Sequence, residues 1–321
     1  MNILITGGAG FIGSNLIDQL LLDKGTYVIC IDNYDSFYDR SIKLKNQENH
    51  FASENFEFHE LDIRNMSSFK TEKRIDCIIH LAAKAGVRPS ISNPREYFDV
   101  NVNGTLEMLE FARNHGIKQF VFASSSSVYG INPNIPWSEG DMDLQPISPY
   151  ASSKLACEKM GYTYSHLFGI RFIALRFFTV YGPRQRPDLA ISLFFRRILN
   201  EQEIDMYGNG ETYRDYTFVD DIVSGIKSAM NFADSNYIII NLGNNNPISL
   251  NKLISSISDV SGQVPKIKRL QEQIGDVPRT CANVERAELL LQFRPSTMLN
   301  VGLERQWDWI KANTNGTKNN L

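Results

Sequence analysis

Four consecutive serines, Ser124 to Ser127, precede a Tyr150-x-x-x-Lys154 spacing. A hydroxyl, a phenol and an ammonium of this kind can together take the proton off an alcohol while a hydride leaves the same carbon. A free phenol, with a pKa near ~10, is a poor base at neutral pH and needs a fixed positive charge nearby to hold its phenolate. Ser148-Pro149 predicts a helix opening at Tyr150, and the i,i+4 spacing then puts the Lys154 ammonium on the same face, about one turn away. A serine of the 124–127 run would hold the substrate oxygen. Tyr-x-x-x-Lys also recurs on ordinary amphipathic helices, so the assignment needs elements that bring a hydride acceptor to it.

The first residues supply those elements. Asn2 to Thr6 reads as a short buried strand, Gly7-Gly8-Ala9-Gly10-Phe11-Ile12-Gly13 follows, and an apolar helical stretch runs from Ser14 to Leu22. Glycines at this spacing between strand and helix form a dinucleotide fingerprint. Gly7 allows the tight turn, Gly10 lets the backbone approach a pyrophosphate, and Gly13 lets the helix pack closely on the sheet. The pyrophosphate would rest on the helix N-terminus, where unpaired N–H groups and the macrodipole favour an anion. A second strand, Tyr27 to Ile31, ends in Asp32. A carboxylate there accepts from both ribose hydroxyls and repels a 2'-phosphate, so the expected cofactor is NAD rather than NADP. The oxidised nicotinamide ring beside Tyr150 would lower the phenol pKa further.

Composition agrees with an enzyme of this type. A chain of 321 residues, 42% hydrophobic and 21% charged, can build a large α/β unit with a smaller lobe. The net charge of −3, without a basic run or stripe, points away from nucleic acid. Cys30, Cys77, Cys157 and Cys281 are scattered without a C-x-x-C pair, and His50, His59, His115 and His166 lack partners at metal spacing, so neither zinc nor a disulfide framework is expected. His80 ends an apolar strand and reads as a packed core residue. No cleavable leader and no membrane span is read, which makes a reducing cytosol the expected location.

Strands alternating with helices through the first half predict a doubly wound, Rossmann-type parallel sheet with right-handed crossovers. Further strands are expected at Phe56 to Leu61, Cys77 to Leu81, Gln119 to Ala123, Ile170 to Phe177 and Tyr237 to Leu242, and helices at Pro94 to Asn114 and Tyr150 to Phe168. After Gly182-Pro183 the rhythm breaks, returns near Tyr216 to Ala229, and breaks again after Gly243. The expected division is a dinucleotide-binding domain over 1–180, with 216–243 returning to it, and an interleaved substrate-binding lobe over 181–321. The tail from Asn313 to Leu321 reads as disordered.

Together these features resemble the extended short-chain dehydrogenase/reductase superfamily, and within it the nucleotide-sugar 4-epimerases. The likeness runs from Ile3 to about Trp309 and includes Leu61-Asp62-Ile63, His80-Leu81-Ala82-Ala83, Asn101-Val102-Asn103-Gly104-Thr105, Val128-Tyr129-Gly130, Ser148-Pro149-Tyr150, Arg214-Asp215-Tyr216 and Asp220-Asp221. It implies that Ser125, Tyr150 and Lys154 do the chemistry and that Asp62 and Ile63 border the adenine. Leu81, Ala82, Ala83 and Lys84 would line the nicotinamide side, with Phe11, Ile12, Asn33 and Asn101 as further cofactor contacts. It also implies a homodimer paired through the two long helices.

Departures inside the family narrow the choice. Sugar 4,6-dehydratases carry Thr-Asp-Glu where this chain has Ser125-Ser126-Ser127, and without that acid and base the C6 hydroxyl is not readily expelled. Decarboxylases of uridine-diphosphate (UDP) glucuronate keep a glutamate at the place of Ser127. Many UDP-glucose 4-epimerases have Asn in the segment that here reads Phe177-Phe178-Thr179-Val180-Tyr181-Gly182-Pro183. With Ala85-Gly86-Val87-Arg88 and Arg184-Gln185-Arg186-Pro187-Asp188, the chain looks most like UDP-glucuronate 4-epimerases. On that reading Ser126, Ser127 and Thr179 hydrogen-bond the sugar carboxylate, and Arg88 or Arg186 neutralises the sugar or the diphosphate. Arg214 would meet the diphosphate and Asp276 the uridine ribose. Relatives carry Arg two residues before the Gly275-Asp276 pair where this chain has Gln273-Ile274, which passes some diphosphate contact to Arg279. Alternative readings are a UDP-glucose or UDP-N-acetylglucosamine 4-epimerase, a UDP-glucuronate decarboxylase, a net oxidoreductase releasing NADH, and a non-enzymatic NAD-sensing protein.

Overall fold

The computed structural model describes residues 1–271 and 277–314. The expected Asp276, the neighbouring Gln273 and Ile274, and the tail beyond Thr314 lie outside the described residues. Among the described residues, seven parallel strands form one sheet: β1 (Asn2–Thr6), β2 (Tyr27–Asp32), β3 (Phe56–Glu60), β4 (Cys77–His80), β5 (Gln119–Ser125), β6 (Arg171–Phe177) and a strand at Tyr237–Leu242 that pairs with β6. The order β3-β2-β1-β4-β5-β6 reverses direction of winding between β1 and β4. In such sheets ligands sit outside the carboxyl ends of the strands at that switch point.

Both faces of the sheet are covered, which explains why its strands read as nearly continuous apolar runs. Side chains alternate between two cores: Ile3, Ile5, Val28, Cys30, Val121 and Ile173 face one side, and Leu4, Ile29, Ile31, Phe120, Phe122 and Phe172 the other. Each such fully buried large side chain contributes about 1.5–3 kcal/mol. Helix α1 (Phe11–Leu21) begins directly after Gly10, three residues earlier than the apolar stretch predicts, because the glycine turn itself leads into the first helical turn. Next come α2 (Arg40–Gln47), α3 (Val87–Ser92), α4 (Pro94–Phe98), α5 (Gly104–Asn114) and α6 (Pro149–Phe168).

The single helix expected over Pro94 to Asn114 is interrupted: Asp99–Asn103 forms a π-helical turn between α4 and α5. The wider turn accompanies Asn101 reaching sideways to make two hydrogen bonds with Lys84, in the segment after β4, and one with Ser153 of α6. Helix α6 starts where expected, with the Ser148 side chain accepting from Ala151 N at 3.1 Å and Pro149 in the first turn. Gly161 lets α6 lie flat on the sheet, since a β-carbon there would stand 2.3 Å from the Phe172 ring.

The remainder grows around the β6 edge. A short strand, β7 (Thr179–Tyr181), leaves the main sheet two residues after β6 ends, and α7 (Ala190–Leu199) and β8 (Ile204–Tyr207) follow. Strand β9 (Tyr213–Phe218) pairs with β7, not with the main sheet, and leads into α8 (Val219–Met230), which packs against α1. The Tyr237–Leu242 strand is β10, and β11 (Pro247–Ser249) completes a three-stranded sheet with β9 and β7. Helix α9 (Leu250–Ser261), β12 (Ile267–Leu270) beside β8, α10 (Glu285–Leu291) and α11 (Leu299–Thr314) close the fold. No described helix is long and apolar enough to cross a membrane.

Candidate active site

The carboxyl ends of β1, β2, β4 and β5 open on one cleft of ≈ 380 Å³. Gly7 follows β1 at φ +73°, in the left-handed region, and a β-carbon there would lie 2.7 Å from the Ala82 nitrogen. Gly13 sits where a β-carbon would stand 2.4 Å from the Gly7 carbonyl oxygen. Without those side chains the uncapped N-terminus of α1 faces the cleft, with Gly10, Phe11 and Ile12 on its wall. Its unpaired N–H groups fit the diphosphate of a dinucleotide.

Asp32 ends β2 on the same wall. Its carboxylate accepts from Ala9 N at 3.1 Å and Tyr34 N at 2.8 Å, with Lys43 Nζ at 3.7 Å. Burial raises its pKa, and Lys43 with the two N–H groups pulls it back. Asp32 therefore ties the glycine turn to β2 on the wall of the cleft. Asn33 donates to Asp62 at 2.9 Å, and the bonds from Arg64 hold Asp62 down to about 2. Ile63 lines the same end, and Leu81 to Lys84 form the facing wall. Asn101 is buried behind that wall: it accepts from Lys84 N at 2.8 Å and donates to Lys84 O at 3.0 Å and to Ser153 Oγ at 2.9 Å. It shapes the segment and does not line the described cleft.

The reactive groups meet where β5 ends beneath the first turn of α6. Ser125 stands near enough to the Tyr150 phenol to lower its pKa. Ser125 Oγ in turn accepts from Ser127 Oγ at 2.9 Å and Ser127 N at 3.2 Å. Lys154 Nζ donates to Ala123 O at 2.7 Å and lies 4.8 Å from the centre of the Phe122 ring. Burial raises the Tyr150 pKa, and Ser125 and the Arg186 charge lower it again. Burial brings Lys154 down to about 8, so at neutral pH the ammonium keeps its charge while standing close to losing it. His80 is a buried, neutral core residue between Thr6 and Thr105, pushed down to about 3 by burial and the Lys154 charge.

Of the expected substrate contacts, Ser125, Thr179 and Arg186 line the cleft. Arg186 is gripped by Asp188 at 2.6 and 3.0 Å and lies 4.9 Å from the Phe37 ring centre. Ser126 and Ser127 occupy the 3-10 turn after β5, off the described wall. Arg214 and Arg279 gather around Tyr213, the first donating to its carbonyl at 2.9 Å and the second 5.5 Å from its ring centre. Arg88 is exposed, 5.2 Å from the Tyr207 ring centre. Sequence reasoning missed Lys43, Phe37, Tyr38 and Phe178, which also line the cleft. The run Asn33 to Tyr38 after Asp32 was the available signal, but only the fold turns it toward Arg186. It also missed Arg176 and Glu158, which form a buried ion pair at 2.8 Å beside the end of β5.

Because the phenol and ammonium ride on the helix after β5 and face the same cleft as the glycine turn, the class is an extended short-chain dehydrogenase/reductase. The sequence pattern of the family described as GDP-mannose 4,6 dehydratase matches residues 4–306, and the chain belongs to that family. It is 40% identical to a UDP-glucuronate 4-epimerase of Thermodesulfobacterium geofontis, over 97% of this chain and 96% of that one. Among solved structures, UDP-glucuronic acid 4-epimerase of Bacillus cereus, in complex with UDP-glucuronic acid and NAD, superposes with a TM-score of 0.90 at 33% identity, covering 97% of this chain and 99% of that one. UDP-glucose 4-epimerase of Thermotoga maritima, with UDP-glucose, gives 0.89 at 31%, again over 97% and 99%.

Proposed function

We propose that the chain is an NAD-dependent UDP-sugar 4-epimerase that converts UDP-glucuronate to UDP-galacturonate. The observation that carries this reading is the chemistry of the wall around Tyr150. There the described cleft presents the Ser125 and Thr179 hydroxyls and the Arg186 guanidinium. The carboxylates on the wall, Asp32, Asp35 and Asp62, come instead from the end of β2 and the loops after β2 and β3. Expelling a C6 hydroxyl needs an acid and a base at the sugar, so this wall favours epimerisation over dehydration. It also suits a sugar that brings its own carboxylate. Relatives with neutral sugars make UDP-glucose or UDP-N-acetylglucosamine the alternative substrates.

Bound NAD supplies a reversible hydride acceptor for C4. Tyr150, as phenolate, takes the C4 hydroxyl proton, Ser125 orients the oxygen, and the Lys154 ammonium stabilises the phenolate charge. The resulting 4-keto sugar turns over while its nucleotide stays anchored in the lobe we assign to 181–321. There Arg214, Arg279 and Asp276 are proposed to hold the UDP, beside the dinucleotide-binding unit of 1–180 with 216–243. The hydride that bound NAD would hold then returns to the opposite face of C4 as Tyr150 gives the proton back to O4, which inverts the C4 configuration. The intermediate is a β-keto acid and loses carbon dioxide when its carboxylate bond stands perpendicular to the carbonyl plane. Thr179, with the serine turn, is proposed to hold the carboxylate away from that orientation. Thr179→Ala should accordingly raise the pentose share of the products severalfold, read by proton NMR. An unchanged ratio removes this role for Thr179.

Exposed Phe98, Leu106, Tyr162 and Leu167 on α4, α5 and α6 support a homodimer paired through these helices. Four free cysteines suit a reducing cytosol. The deciding experiment incubates the purified protein separately with UDP-glucuronate, UDP-glucose and UDP-N-acetylglucosamine, without added NAD, and follows the sugars by proton NMR. A C4 epimer forming chiefly from UDP-glucuronate supports substrate, mechanism and retained cofactor together. Chief conversion of a neutral sugar overturns the substrate assignment and leaves the Ser125–Tyr150–Lys154 chemistry standing.

A further inference from the structure

We propose that Glu158 is a positioning residue of the catalytic set, fixing the β5 terminus through Ser124 and supplying a negative charge one helical turn behind Lys154. This rests on the Ser125–Tyr150–Lys154 reading above and is independent of which sugar binds. Ser124 and Arg176 are register neighbours on β5 and β6, and Glu158 of α6 closes over both. Ser124 Oγ donates to Glu158 Oε1 at 2.6 Å, while Arg176 Nε and NH2 donate to the two carboxylate oxygens at 2.9 and 2.8 Å. One carboxylate therefore pins two adjacent strands to the helix that carries Tyr150 and Lys154. It does so at the residue before Ser125.

A purely structural role is a poor account of this pair. Its side chains are only 1% and 0% exposed, and buried ion pairs generally stabilise no better than apolar residues of the same volume. What an apolar replacement cannot supply is charge next to the reacting groups. Around Glu158 stand Lys154 and Cys157 on its own helix and Arg176 on β6. Tyr129 lies 4.7 Å, ring centre to guanidinium, from Arg176, and Tyr237 of β10 donates to the Glu158 carbonyl at 3.2 Å. Against Lys154 lie His80 of β4, held neutral, and the Phe122 ring. Burial pulls Lys154 down, and Cys157 and then the Glu158 carboxylate oppose that pull. Tyr150 can act as base only while Lys154 is charged, so Glu158 contributes to how far into alkaline pH the enzyme works.

Glu158→Gln alone strands a buried guanidinium, so the test uses Glu158→Gln together with Arg176→Met. In this variant the alkaline limb of the kcat–pH profile should move down by about half a unit, roughly a twofold loss of turnover at the parent's midpoint. The ultraviolet titration of Tyr150, taken as the difference from the same protein carrying Tyr150→Phe, should move up, because a less charged Lys154 supports the phenolate less. That titration needs no turnover, so it judges Glu158 even if the epimerase reading fails. A profile and titration that both superpose on the parent's overturn the charge role. Ser124→Ala keeps the ion pair and tests the positioning role. It should lower kcat about tenfold with KM within about twofold and the alkaline limb unmoved, and a parental kcat overturns it. If the double variant does not fold, the same titration is read on Glu158→Gln alone, where an unmoved curve overturns the charge role, and Ser124→Ala still decides the positioning role.

Discussion

Tyr150→Phe lowers kcat by about 10²–10⁴-fold, the range that a positioned general acid–base supplies, while KM for the UDP-sugar stays within about threefold. The substitution deletes one oxygen. The ring keeps its place in the first turn of α6, edge-on to Tyr97 with centroids 6.3 Å apart. Lys154 keeps its bond to Ala123, so the charge remains without the phenolate it serves. Binding of the nucleotide uses other residues, which is why the loss falls on kcat. Steady-state kinetics with NMR detection, together with assay of the NAD retained by the purified protein, check both halves. Turnover within about threefold of the parent, with NAD retained, refutes the catalytic scheme.

Gly13→Ala empties the cofactor site. Its β-carbon would stand 2.4 Å from the Gly7 carbonyl oxygen and 2.7 Å from Gly8 Cα, both backbone atoms that cannot swing aside. Either α1 shifts away from the glycine turn or the turn is pushed into the cleft, at a cost of about 1–3 kcal/mol in stability. The NAD released from denatured protein should fall at least about tenfold. Gly10→Ala isolates the cause, because its β-carbon meets only the Gly7 carbonyl oxygen, at 3.2 Å. It should unfold near the parent temperature and still hold less NAD, since the added methyl group occupies the cleft side of the turn. Gly13→Ala protein with parental NAD content and stability contradicts the packing argument.

Much of this protein is legible from its sequence because the determinants are local. The glycine turn, Asp32 after β2 and the Ser148-Pro149 opening of α6 each act within a few residues, through backbone sterics, strand period and helix capping. Those features suffice for the parallel sheet, the dinucleotide cradle and the Tyr150–Lys154 face. The π-helical turn at Asp99–Asn103 was not legible, because it accompanies bonds from Asn101 to Lys84 and Ser153, far along the chain. Strand β9 reads like part of the main alternation and yet pairs with β7, since nothing local distinguishes one parallel partner from another. The site divides in the same way. Residue types name Ser125, Tyr150 and Lys154, while the tertiary structure alone joins Ser124, Glu158 and Arg176 beneath them, turns Phe37 toward Arg186, and sets Lys154 near 8. Burial and charge at a point depend on every element packed around it, and only the folded chain brings those elements together.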